Sequence, residues 1–303
     1  MFAYSLRRLG LAAFLFGGCC VPPKAAPVRS PAAAATGRPA TDADVDRFLA
    51  PHEAALEATR RPVAKITLSP MPVDDLRVSK VGGRPWWPAG TPFPVDRNGQ
   101  PLALLAQIDL AEVPPELGDW PHSGLLQFFV ASDDTYGLRF DGPASRRLQE
   151  GFRVVRWADP SGPSADPPPA VPAFLPLDPQ KPRRIRFSAG TERLSHEDRR
   201  FAPLFGDSLF EAESAWAEAN GVDERSMWEA VYRRTSGAGH KIGGYPAFTQ
   251  EDPRGGEGFE LLLQLDTDDE MMWGDSGVGN FFIHPDALRR GDFSDVLYTW
   301  DCA

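Results

Sequence analysis

The chain has 303 residues, 42% apolar and 24% charged, which is ample length and hydrophobic content for a well-buried core. Its formal charge of -10 argues against a nucleic-acid binder, because such a protein needs a basic face to meet phosphate. What remains is a solvated acidic surface, or an acidic face that meets a basic partner.

Residues 1–19 read as an export signal. Arg7 and Arg8 precede the apolar run Leu9 to Phe16, and Gly17-Gly18-Cys19 follows. The run is too short to cross a bilayer as a helix. Leu15-Phe16-Gly17-Gly18-Cys19 resembles a bacterial lipobox with Cys19 as the lipid-modified residue, although Phe16 stands where that motif prefers Leu, Val or Ile. The alternatives are an ordinary signal peptide, which would leave the protein periplasmic, and a misplaced start codon, which would leave it cytoplasmic. Residues 20–40 are Ala- and Pro-rich, a composition that cannot offset its ordering entropy, and read as a disordered tether. The folded domain is placed at 41–303.

Thr41-Asp42-Ala43-Asp44 has the form of a capping box, and Val45, Phe48, Leu49, His52 and Leu56 recur at helical spacing behind it. His52-Glu53 and His196-Glu197 each begin a zinc-protease motif and fail at its second histidine, so no metal site is assigned. Strands are expected at 63–68, 102–109, 124–131, 152–157 and 183–187 from their β-branched, aromatic and apolar content. Between the first two runs a loop rich in Gly and Pro carries Trp86 and Trp87, which either floor a binding cleft or cap the core edge. The Pro-rich segment 159–182 is expected to be an exposed connection, and two short helices should follow Asp207, separated near Gly221.

The last third opens with a buried strand at 259–266 and ends with a strand-like run at 296–300 before Cys302, expected to be a small buried residue. Asp266, Asp268 and Glu270 start like a calcium loop, but Met271 and Gly277 occupy the positions that need Gly and Glu. Gly274-Asp275-Ser276-Gly277 lacks the surrounding pattern of a serine hydrolase, and its glycines are expected to shape a turn that Asp275 caps. Trp273 and Asp275 join Trp86 and Trp87 as candidate binding residues. No catalytic residue and no cofactor is assigned.

Much of this last third repeats an earlier stretch. Lys80-Val81-Gly82-Gly83-Arg84-Pro85 mirrors Lys241-Ile242-Gly243-Gly244-Tyr245-Pro246. Leu104 to Asp109, with Gln107 and Asp109, mirrors Leu261 to Asp266, with Gln264 and Asp266, and 124–130 aligns loosely with 277–283. Blocks recurring in one order imply an internal duplication. The K-[IV]-G-G-x-P, L-x-Q-[LI]-D, W-G-D-x-G, F-F-I and D-F-S-x-V-x-Y-x-W-D-C series, from Thr41 to Cys302, resembles the YwqG-like family, the DUF1963 domain. That resemblance implies a mixed α/β domain, without agreed catalytic residues, some of whose relatives are thought to act as toxin-immunity proteins.

The expected fold is therefore α+β. Two related β-rich repeats, about 76–140 and about 236–303, form one pseudo-twofold domain, with an N-terminal helix and a helical insertion within the connection 141–235. Lys80, Gly82, Gly83, Gln107, Asp109, Lys241, Gly243, Gly244, Gln264 and Asp266 are read as its structural motif. Two functions are consistent with these features. One is a non-catalytic, lipid-tethered binding protein of the bacterial cell envelope that meets a basic or toxin-like protein. The other is an envelope hydrolase drawing on Gln107, Asp109, Gln264 and Asp266, with His240 or His284 as proton carrier.

Overall fold

A computed structural model describes residues 37–166, 168, 174–206 and 208–303. The export signal, Cys19 and the tether up to residue 36 lie outside the described residues.

The first helical stretch is broken in two, α1 (Asp42–Leu49) and α2 (Glu53–Ala58), by a short 3-10 turn over Ala50–His52. Pro51 is the reason, because it has no N–H for the helix ladder. Asp44 is fully buried and ties down the start: its carboxylate accepts from the Thr41 N–H at 2.9 Å, the Thr41 hydroxyl at 2.6 Å and Arg38 at 2.6 Å. Val45, Phe48, Leu49 and Leu56 face inward, where they pack with α3 (Leu209–Ala219) and α4 (Glu224–Thr235) into a helical layer of its own. Asn220 caps α3, and Gly221 follows at φ 63.

The strands are β1 (Arg61–Pro70), β2 (Lys80–Val81), β3 (Ala103–Asp109), β4 (Leu125–Val130), β5 (Phe152–Trp157), β6 (Arg183–Glu192), β7 (Lys241–Gly243), β8 (Glu260–Asp266), β9 (Val278–Ile283) and β10 (Val296–Asp301). They form one sheet in the order β10-β9-β8-β7-β1-β6-β2-β3-β4-β5, and the pairings between these ten strands are antiparallel. Its centre is the long β1–β6 pair, running from Arg61 opposite Glu192 to Pro70 opposite Arg183. Polar or proline residues end β1, and polar or small residues fill the second half of β6, so the apolar pattern showed only the middle of β1 and the first half of β6.

Either side of that centre stands a four-strand block. Lys80 faces Gln107 in one block and Lys241 faces Gln264 in the other. The β3–β4 register shifts between Leu104 and Ala106, and the β8–β9 register shifts between Leu261 and Leu263. The sheet curls until its two ends meet across a shared core. Phe128 of β4 lies 5.0 Å from Phe281 of β9, and Phe152 of β5 lies 5.1 Å from Tyr298 of β10, ring centre to ring centre. The short helix α5 (Pro285–Arg290) connects β9 to β10 and ends on Gly291 in the left-handed region. No helix among the described residues is long and apolar enough to cross a membrane.

Candidate functional site

The Gly-Gly-x-Pro turns and the glutamines they precede form two matching buried hydrogen-bond networks. Gly82, Gly83, Gly243 and Gly244 sit at φ 67, 74, 67 and 68, where a side chain is strained. Gly244 also lacks room, because a Cβ there would lie 2.4 Å from a Glu192 oxygen. Gln107 and Gln264 are fully buried. The Gln107 amide donates to the Leu76 and Val78 carbonyls at 2.9 and 3.0 Å, and its Oε1 accepts from the Trp86 N–H and Gln127 Nε2. The Gln264 amide donates to the Gly237 and Gly239 carbonyls, both at 2.8 Å, and its Oε1 accepts from the Ala247 N–H at 2.7 Å. Each glutamine thus pins the loop before its own lysine to the strand beyond it.

The lysines are buried too. Lys80 donates to Asp74, the Asp75 carbonyl and the Arg84 carbonyl, while Lys241 reaches both Glu192 oxygens at 2.9 and 3.1 Å. Burial lowers the pKa of both ammonium groups, against the opposing pull of Asp74 and of Glu192. Asp109 accepts from the Ala111 N–H and closes the turn after β3. Asp266 accepts from the Gly239 and Thr267 N–H groups. The acid-base set that a hydrolase would need does not gather in one place. β3 and β8 lie on opposite sides of the central pair, and each glutamine is bonded only within its own block. His240 takes the Asp266 N–H on Nδ1 and faces Asp268 through Nε2 at 2.9 Å, so both ring nitrogens are engaged. Its pKa is lowered, chiefly by burial. The His284 ring, just before α5, lies 4.0 Å from the Phe259 ring and tilted 34° to it.

Residues 79–302 match the model of a domain of unknown function, DUF1963. The chain belongs to the DUF1963 family. No curated protein matches it.

The tryptophans that read as candidate binding residues are core in this DUF1963 domain. Trp86, Trp87 and Trp273 are 2%, 4% and 0% exposed, so each ring lies inside the fold and none floors an open cleft. Trp86 and Trp87 each lie edge-on to Trp157, and Trp273 packs against Tyr136 and Trp300. The Gly-Asp-Ser-Gly turn follows its glycines only in part. Gly274 and Ser276 take positive φ, the Gly277 N–H reaches the Trp273 carbonyl, and Asp275 is exposed. Asp275 contributes its carbonyl to Ala303, where a side-chain cap was expected. Cys302 is buried.

Two features of the DUF1963 domain escaped sequence reading. One is a charge network in which Asp198 bonds Arg200 and Arg254, Arg254 bonds Asp252, and Glu260 bonds Arg200 and Arg61. Asp198, Asp252 and Arg254 have side chains 0–2% exposed. Burial alone would raise the Asp198 pKa, but hydrogen bonds from Arg200 and the Arg254 charge outweigh it and hold the carboxylate well below its usual range. These residues are scattered along the chain, so nothing local signals the network.

The other is an open groove of about 610 Å³ between the 175–180 segment and the acidic turn after β8. Asp178, Asp268, Asp269 and Glu270 rim it, and Met272 is 48% exposed beside them. Arg183 pairs with Asp268 at 2.7 Å and lies 3.5 Å from Glu270, and exposed Lys181 lies 3.6 Å from Asp178, while Asp269 forms no ion pair among the described residues. No group of His, Cys, Asp and Glu among the described residues is arranged to hold a metal.

Proposed function

We propose that this DUF1963 protein is a non-catalytic binding protein of the bacterial cell envelope, tethered by lipid on Cys19, that meets a basic, toxin-like protein with its acidic groove. The observation that carries the binding half is the groove itself, where carboxylates surround an exposed methionine. A basic partner would be steered there by charge and held by Met272, whose flexible apolar side chain adapts to what it touches. The hydrolase alternative draws no support from the geometry, because Gln107, Gln264 and His240 are already committed to structural hydrogen bonds.

The scaffold is read as two copies of one unit about a pseudo-twofold axis through the β1–β6 pair. Supporting this are the matched partners of the two lysines and the two glutamines, and the matched register shifts in β3 and β8.

The test has two arms. Cys19→Ser should move the protein from membranes to the soluble envelope fraction, and unchanged membrane association would remove the tether. A photo-crosslinker at Met272, used in intact cells, should capture a basic protein, and Asp269→Lys with Glu270→Lys should abolish that adduct. An adduct indifferent to the charge reversal would sink the groove as the binding surface.

A further inference from the structure

The chain enters its fold at the corner between α3 and α4. The Arg38 N–H donates to the Gly221 carbonyl at 3.0 Å, and the Asp223 N–H donates back to the Arg38 carbonyl at 2.8 Å. The Ala40 N–H adds a bond to the Ser226 hydroxyl at 2.8 Å. Asp223 caps α4, so Gly37 leaves the domain beside the first turn of that helix. Gly37 comes eighteen residues after Cys19, a reach of about 65 Å at most.

α4 buries one face and leaves the other bare. Met227, Ala230 and Val231 pack inward with the helical layer. Arg225, Trp228, Glu229, Tyr232 and Arg233 recur at helical spacing on the opposite face and are all exposed. Trp228 is 47% and Tyr232 36% exposed, and their rings lie 5.5 Å apart. The His196 ring supports Tyr232 from behind at 4.4 Å, which fixes the pair in place. All eight tryptophans lie among the described residues, and Trp228 alone is exposed, the others being buried or half-buried.

Charge singles out the same face. In a chain of net charge -10, it carries two arginines against one carboxylate. Arg225 pairs with Glu229 at 2.9 Å, whereas Arg233 forms no ion pair among the described residues. A Trp-Tyr pair flanked by arginines suits the headgroup level of a bilayer, where rings reach the acyl boundary and guanidinium groups meet phosphate.

We infer that the outer face of α4 lies against the membrane surface. Trp228 and Tyr232 enter the headgroup layer, and Arg225 and Arg233 face lipid phosphates. This rests on the Cys19 tether proposed above, which keeps the α4 end of the domain within reach of the bilayer. Held at that range, even a weak surface contact is populated, because tethering raises its effective concentration.

The test holds the full chain at a bilayer by chemistry in place of the cell. The Cys20→Ser chain is coupled through Cys19 to a maleimide-headgroup lipid, while Cys302, 2% exposed, stays unreacted. The vesicles are phosphatidylethanolamine and phosphatidylglycerol, with or without brominated acyl chains, and the readout is tryptophan fluorescence. Residues 1–36 contain no tryptophan, so the signal belongs to the domain. Bromine should quench the emission of the coupled chain, and Trp228→Phe should lose that quenching. Tyr232→Ala, and Arg225→Glu with Arg233→Glu, should each reduce it severalfold at low salt. No bromine-dependent quenching, or equal quenching in Trp228→Phe, would overturn the inference. So would self-association in solution that Tyr232→Ala abolishes, since the face would then belong to a second copy. Whether cells lipidate Cys19 is read separately by the Cys19→Ser fractionation, so the tether and the face can fail independently.

Discussion

Gln127 and Asn280 face Gln107 and Gln264 at the same register position of their hairpins, yet only Gln127 is fully satisfied. Gln127 donates to the Trp86 carbonyl at 2.7 Å and accepts from the Trp157 indole at 2.8 Å. Asn280 donates to the Ala247 carbonyl at 2.8 Å, but its buried Oδ1 has no partner among the described residues. At the place of Trp157 the second block carries Asp301, whose carboxylate caps the Thr249 and Gln250 N–H groups. Replacing Gln127 by Met strands several buried groups, whereas replacing Asn280 by Leu strands one carbonyl and relieves one oxygen. Unpartnered buried groups cost about 1–3 kcal/mol each. Urea melts should therefore show Gln127→Met as the more destabilising change by about 2 kcal/mol or more. Equal losses would mean that the indole contact contributes nothing.

The Gly-Gly turns should differ from other left-handed glycines. Gly90, at φ 81, has open space where a Cβ would go, so Gly90→Ala meets only the backbone penalty, about 1–2 kcal/mol. Gly244→Ala adds a collision with Glu192 and Val63, and Glu192 is the partner of buried Lys241. Its loss of stability should clearly exceed that of Gly90→Ala in parallel melts. Similar values would show that Glu192 swings away freely.

Breaking the Asp198 network should be severe. Asp198→Asn leaves Arg254, 1% exposed, with less compensating charge, and removing one partner of a buried pair typically costs about 3–5 kcal/mol. The measurement is the urea midpoint. A loss below about 1 kcal/mol, as for a surface ion pair, would contradict the enclosed geometry.

Glu213 should make stability depend on pH. It is 3% exposed on α3, and burial pushes its carboxyl from 4.5 up to about 7. Between those values the folded chain holds a proton that the unfolded chain has released. Stability from this group therefore falls as pH rises from about 4.5 to about 7, and the loss is complete above that. Glu213→Gln should remove the slope and gain on the wild type by roughly 3 kcal/mol at high pH. Parallel slopes for the two proteins would place the titration elsewhere.

The sequence by itself determined the local conformations. Paired glycines before X-Pro dictate a left-handed turn, apolar runs such as Leu261 to Leu265 dictate buried strands, and the i, i+3, i+4 pattern from Val45 places one helical face inward. Such features depend on neighbours a few residues away, and they are written where they act. The repeated blocks and the family resemblance followed from the same local words. Only the tertiary structure decided what those elements enclose. Trp86 and Trp87 look like a binding floor until Trp157, some seventy positions on, covers them. Asp198 looks like a surface carboxylate until Arg254 arrives from a different loop. Residues 291–294 come beside the free edge of β5 because the sheet curls that far, a closure set by the packing of Phe128 and Phe152 against Phe281 and Tyr298. Burial and charge pairing are sums over contacts distant in sequence, so no window of the chain contains them.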